Sequence, residues 1–158
     1  MKNVSTFRTG CLSALIRLTL VIAVMSGAVF SSGAAFGDMT GSALSFSGNG
    51  DYVSLPEGVW FNGGFTIESW VYVRSHIAWA RVVDFGKGNS DNVILALSDG
   101  TGNGKPALSI RNGNTETVLT TRYPISLNTW VHLAATLEGS TGRMFVNGEE
   151  VASKGGMG

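Results

Sequence analysis

From Ala43 onward the chain nowhere keeps a 3.6-residue apolar period for as long as three turns. It runs instead as short segments cut by Gly, Asn, Asp and Ser. That pattern restricts it to antiparallel sheets that stack or close on one another. The clearest segment is Phe65–Val73. Phe65, Ile67, Val71 and Val73 form one row, and Thr66, Glu68, Trp70 and Tyr72 the other. Successive strand residues face opposite sides, and both rows carry bulk, so this strand is predicted mid-sheet with one face in the core. Val131–Leu137 alternates in the same way. Arg143–Val146 and Glu149–Ala152 flank Asn147-Gly148, two residues tolerant of the positive φ that a type I′ hairpin turn needs. Weaker strands are predicted at Ala43–Phe46, Tyr52–Leu55, Val82–Phe85, Val93–Ser98, Ala107–Arg111 and Thr117–Thr120. Pro56, Pro106 and Pro124 all fall at strand boundaries.

The first 37 residues read differently. Lys2, Arg8 and Arg17 make a positive start, an apolar run follows from Leu18 to Phe30, and small residues from Ser31 to Ala35 suit a signal peptidase at Ala35 or near Gly37. The apolar run is too short to cross a bilayer, which takes about 20 residues. Residues 1–37 are therefore expected to be a helical signal peptide, and residues 38–158 a single domain that is secreted or held at the cell surface, with no membrane contact after cleavage. The one cysteine, Cys11, lies in the leader, so thiol catalysis, zinc–thiolate sites and disulfides are not expected in the mature domain. Removing the three leader cations from the eleven basic residues leaves eight against eleven acidic ones, a net charge of −3. A mildly acidic domain lacks the electrostatic footprint of a nucleic-acid binder.

Four blocks carry a family resemblance. Ala43-Leu44-Ser45-Phe46-Ser47-Gly48 with Asp51-Tyr52-Val53, then Phe65-Thr66-Ile67-Glu68-Ser69-Trp70-Val71, then Asn128-Thr129-Trp130-Val131-His132-Leu133-Ala134, and last Arg143-Met144-Phe145-Val146-Asn147-Gly148, occur in order. Together they resemble laminin-G-like (concanavalin A-like lectin/glucanase, pentraxin-related) jelly-roll domains, with the first block as an opening hairpin. The resemblance implies an antiparallel jelly-roll β-sandwich. Such domains usually continue past the Asn-Gly hairpin with further strands that pair with the first ones. The sequence here ends in Gly155-Gly156-Met157-Gly158, read as a flexible end. The resemblance thus implies a domain lacking its final strands, and one part of a larger multidomain protein.

Candidate sites fall in the turns. The segment Gly86-Lys87-Gly88-Asn89-Ser90-Asp91-Asn92 offers one carboxylate and several amide and hydroxyl oxygens. Calcium takes six to eight oxygen ligands, and the Asp-Asn pair before a strand resembles the calcium-binding pair of pentraxins. Asp91 and Asn92 are therefore candidates for calcium or ligand binding. The competing explanation is that both shape the turn by bonding their own backbone. Asp51 is a weaker calcium candidate, with the same turn-forming alternative. Asp99-Gly100-Thr101-Gly102-Asn103-Gly104 is rich in oxygens but lacks the Glu of an EF-hand. Trp70 and Trp130 fall in strand blocks and are expected in the core, whereas Trp60 and Trp79 lie in loop-like stretches. Trp79, beside His76 and Arg81, is the candidate exposed platform for a sugar ring.

Catalytic signatures are missing. There is no Gly-x-Ser-x-Gly elbow. The Glu-x-Asp-x-x-Glu of glycosidases that share this fold is absent too, and Glu149 and Glu150 are adjacent on a strand and so point to opposite faces. The expected function is non-catalytic recognition of a glycan or an extracellular protein, with calcium as the candidate cofactor. The alternatives are a structural or adhesion spacer in a larger surface protein and, less favoured, a glycoside hydrolase.

Overall fold

The computed structural model describes residues 13–17, 43–48, 50–55, 58, 61–87 and 90–158. These residues form an antiparallel jelly-roll β-sandwich with no helix among them. The strands are β1 (Ser13–Arg17), β2 (Leu44–Ser47), β3 (Phe65–Val73), β4 (Arg81–Lys87), β5 (Asp91–Ala96), β6 (Ala107–Asn112), β7 (Thr115–Thr120), β8 (Trp130–Glu138), β9 (Thr141–Val146) and β10 (Glu149–Lys154). One sheet has the order β10-β9-β8-β3-β1-β2 and the other β4-β5-β6-β7. As the two-row pattern predicted, β3 lies mid-sheet, and its burial alternates strictly along Phe65–Val73.

The core fills the space between the sheets. Ile67, Val71 and Val73 of β3 and Val131, Leu133 and Ala135 of β8 face Val93 and Leu95 of β5 and Leu108 and Ile110 of β6. A register shift on β4 between Arg81 and Val83 turns both Val82 and Val83 into this core. Asn147 (φ 52) and Gly148 (φ 84) both adopt the left-handed conformation expected at the β9–β10 turn.

Three expectations are corrected. Tyr52–Leu55 is not a strand, and the opening hairpin does not form. The backbone N–H of Ser47 goes to Asp51 Oδ2 at 2.7 Å rather than to a returning strand, and β2 pairs with β1. Second, residues 13–17 lie inside the expected helical leader yet form a strand laddered to β2 on one side and β3 on the other. The apolar run from Leu18 to Phe30 lies outside the described residues. Third, the glycine-rich end is not loose. Met157 donates its backbone N–H to Ser140 O at 2.8 Å and is 0% exposed within the core. Gly142 makes room for it, because a Cβ there would meet the Met157 sulfur at 2.5 Å.

Since every pairing is antiparallel, the connections sort to two ends of the sandwich. The β3–β4, β5–β6, β7–β8 and β9–β10 connections share one end. The β4–β5, β6–β7 and β8–β9 connections share the other.

Candidate recognition site at the loop end

At the first end three long connections interlock. The β5–β6 connection carries Gly100, Gly102 and Gly104, and the β3–β4 connection lays one residue against each. A Cβ on Gly100 would come within 2.7 Å of Trp79 Nε1, one on Gly102 would touch Ala78 at 3.4 Å, and one on Gly104 would press on the His76 ring at 2.3 Å from Nδ1. Gly100 and Gly104 leave no room for a Cβ, whereas one on Gly102 would make only ordinary contact with Ala78, and glycine there serves the positive φ of 72. Trp79 is held in the left-handed region at φ 56, with its N–H shared between Ser98 O (3.1 Å) and Asp99 O (3.3 Å). Asp99 Oδ1 closes the loop on itself by accepting from Thr101 N at 2.9 Å. His76 Nε2 contacts Ile125 O at 2.9 Å, and Ile125 N donates to Gly104 O at 2.8 Å, so the β7–β8 connection is tied in as well.

That third connection borders a groove of about 340 Å³. Its floor is apolar, built from Ile125, Val131 and Val146. One wall is Tyr123 and its neighbours, and the other is the start of β10 with Glu149, Glu150 and Val151. Tyr123 is 69% exposed, more than any other large apolar side chain described. Its backbone is fixed, because Thr121 Oγ1 donates to Tyr123 O at 2.9 Å and Thr121 N to Pro106 O at 2.9 Å. The Arg122 guanidinium lies 5.4 Å from the Tyr123 ring centroid, a cation–π contact on the ring. Asn147, also on the groove, accepts from His132 N through Oδ1 at 2.9 Å, which leaves its amide nitrogen as a fixed donor. A free aromatic ring, an apolar floor and a few fixed polar groups are the ordinary makings of a small-ligand site.

The residues singled out in the sequence do not form one site. Trp79 lies at the groove's end of the sandwich, 37% exposed, with part of its ring seated on Gly100. Asp91 and Asn92 lie at the opposite end and, as strand neighbours, face opposite ways. Asp91 Oδ1 accepts from Gly113 N at 3.0 Å and so holds the β6–β7 turn. Asn92 sits between Gly86 and Arg111 in the ladder, and its Oδ1 is buried without a hydrogen bond among the described residues. Asp51 follows β2, at the far edge of the six-stranded sheet from the groove. It is exposed, and the Ser47 backbone N–H holds its carboxyl below the usual value. Calcium would therefore find one carboxylate in each of two separate turns. No three His, Cys, Asp or Glu side chains converge among the described residues.

Trp70 and Trp130 depart from expectation. They stand half-buried on the outer face of the six-stranded sheet, not in the core, because the inward row of β3 is the aliphatic one. Trp70 packs on His132 with centroids 5.3 Å apart, Tyr72 packs on Trp130 at 5.8 Å, and His132 Nε2 lies 3.5 Å from Glu68 Oε2. Trp60 lies outside the described residues. Sequence reasoning missed Tyr123 and the groove altogether. The only cue was the Thr121–Pro124 stretch before an unpatterned run.

Comparison with known proteins fits this geometry. Neither the curated proteins nor the solved structures contain a match to the chain. Residues 47–158 match the laminin-G-type model of the concanavalin A-like lectin/glucanases superfamily. That match covers β3 through β10 and most of the chain, and the chain belongs to this family.

Proposed function

We propose that this domain is a non-catalytic recognition module that binds carbohydrate outside the cytoplasm, and that its binding surface is the interlocked loop end. The observation that carries the reading is the Tyr123 ring, exposed on a fixed backbone beside an apolar-floored groove of about 340 Å³. Sugars present a C–H face that packs on an aromatic ring and hydroxyls that need fixed donors and acceptors. Tyr123 supplies the first, and Asn147, Glu149 and Arg122 supply the second. Trp79, at the same end, offers a second ring whose position is set before any ligand arrives. Family membership supports a binding role in general terms. Neither histidine is placed as a base beside a serine hydroxyl, since His76 meets a backbone carbonyl and His132 meets Glu68.

Export to the surface or medium rests on the leader composition and belongs to the proposal, whereas calcium assistance does not, because Asp51 and Asp91 each serve a separate turn. The test is a glycan array on the exported chain, followed by titration of Tyr123→Ala against any sugar that binds. Losing one aromatic contact of about 1.4 kcal/mol lowers affinity roughly tenfold. If Tyr123→Ala binds as the parent does, the site lies elsewhere. If no glycan binds at any concentration tried, a spacer or adhesion role takes its place.

A further inference from the structure

Two opposite charges line the groove without neutralising each other. Arg122 sits on the Tyr123 ring and makes no ion pair among the described residues. Glu149, at the start of β10, likewise has no ion pair there, whereas its neighbour Glu150 lies 3.8 Å from Arg143 Nε. The two free charges stand on the two elements that wall the cavity, the β7–β8 connection and β10, with Ile125, Val131 and Val146 between them. A guanidinium offers a forked donor set that fits a carboxylate, and a lone carboxylate fits an ammonium. A neutral sugar could hydrogen-bond to both groups but would compensate neither charge.

We propose, resting on the carbohydrate reading above, that the groove selects a zwitterionic saccharide in which an amino sugar lies next to a uronic acid. The ammonium pairs with Glu149, the uronate with Arg122, and a sugar ring packs on Tyr123. Each exposed charge pair is worth up to about fivefold in affinity. Both together predict about a tenfold preference over a neutral sugar, and the preference shrinks as salt is raised.

The experiment is calorimetric titration of the full chain with three ligands at low and moderate salt. These are oligosaccharides alternating glucosamine and glucuronic acid, the same oligosaccharides N-acetylated, and neutral N-acetylglucosamine oligomers. The expected order of affinity is the order given. Glu149→Gln should erase the difference between the first two, and Arg122→Gln the difference between the last two. Glu138→Gln, at the opposite end of the sandwich, should change neither. Equal binding of all three sugars overturns the charge selection but leaves the carbohydrate reading standing. Binding of none overturns both. Equal losses in Glu149→Gln and Glu138→Gln would mean diffuse attraction, and a peptide alternating lysine and glutamate that binds as tightly would mean the ligand is not a saccharide. Either result overturns the proposal.

Discussion

Alanine at Gly104 should destabilise the domain far more than its small volume suggests. Gly104 has φ +77, where an L-residue costs about 1–2 kcal/mol. Its new Cβ would also press on the His76 ring, 2.3 Å from Nδ1. That ring cannot swing aside freely, because its Nε2 meets Ile125 O at 2.9 Å. Displacing it adds overpacking of about 1–3 kcal/mol and forfeits a hydrogen bond of about 1 kcal/mol. The sum is about 3–6 kcal/mol, a large share of a total stability of about 5–15 kcal/mol. Gly113→Ala isolates the steric part. Its φ is +60, with nothing within 4 Å of the added Cβ, so it carries the backbone strain alone. Guanidinium titration of both variants should separate them by about 2–4 kcal/mol. In a His76→Ala background the cost of Gly104→Ala should fall to that of Gly113→Ala. If the two variants differ by less than about 1 kcal/mol, or if His76→Ala gives no relief, the interlocked loop end is wrong.

Other perturbations report on other parts. Met157→Ala should cost about 2–5 kcal/mol in the same titration, since it empties a fully buried site; a loss under about 0.5 kcal/mol would show that the tail does not dock. Asp51 has its carboxyl held below 3.8 by the Ser47 N–H. A depressed folded-state value adds stability that is present above the unfolded value and is lost as pH falls through the folded one. Asp51→Asn should therefore be less stable than the parent near neutrality, with the gap closing in acid below 3.8; a gap that is flat with pH would contradict this. Millimolar calcium should leave the melting temperature unchanged, because Asp51 and Asp91 serve separate turns. A rise abolished by Asp91→Ala would restore the calcium site at the β4–β5 turn.

The sandwich was readable because its signals are local and redundant. The two-row pattern of Phe65–Val73 placed β3 mid-sheet, and Asn147-Gly148 fixed the last hairpin through positive φ at two adjacent residues. The errors came where a local signal had two meanings. An alternating strand does not say which of two bulky rows faces inward, and Trp70 and Trp130 were assigned to the core although Ile67, Val71, Val131 and Leu133 took it. Glycine after a strand reads as flexibility, yet Gly142 makes room for the buried Met157. Asp91 and Asn92 looked like a pair in sequence, but strand geometry sends them opposite ways. The groove was out of reach for a different reason. Its floor and walls come from β7–β8, β8, β9 and β10, and no short window contains that juxtaposition.

The glycine spacing at the loop end then gains a functional meaning. Gly100 and Gly104 are seats for Trp79 and His76, and Gly102 between them takes a positive φ of 72. A bulky residue held at φ 56 costs about 1–3 kcal/mol. Trp79 keeps that conformation because its N–H is shared by two carbonyls and its ring rests on Gly100. Folding thus fixes the rotamers of Trp79 and His76, and through Ile125 it fixes the segment that carries Tyr123. A ligand arriving at this end meets rings already in place, and it escapes the ordering cost of about 0.5–1.5 kcal/mol per side chain that a mobile loop would charge. A spacer has no need of such an arrangement. Replacing the seats, as in Gly104→Ala, should therefore weaken binding at Tyr123 even though the residue lies outside the groove, and a variant that loses stability without losing affinity would separate the two roles.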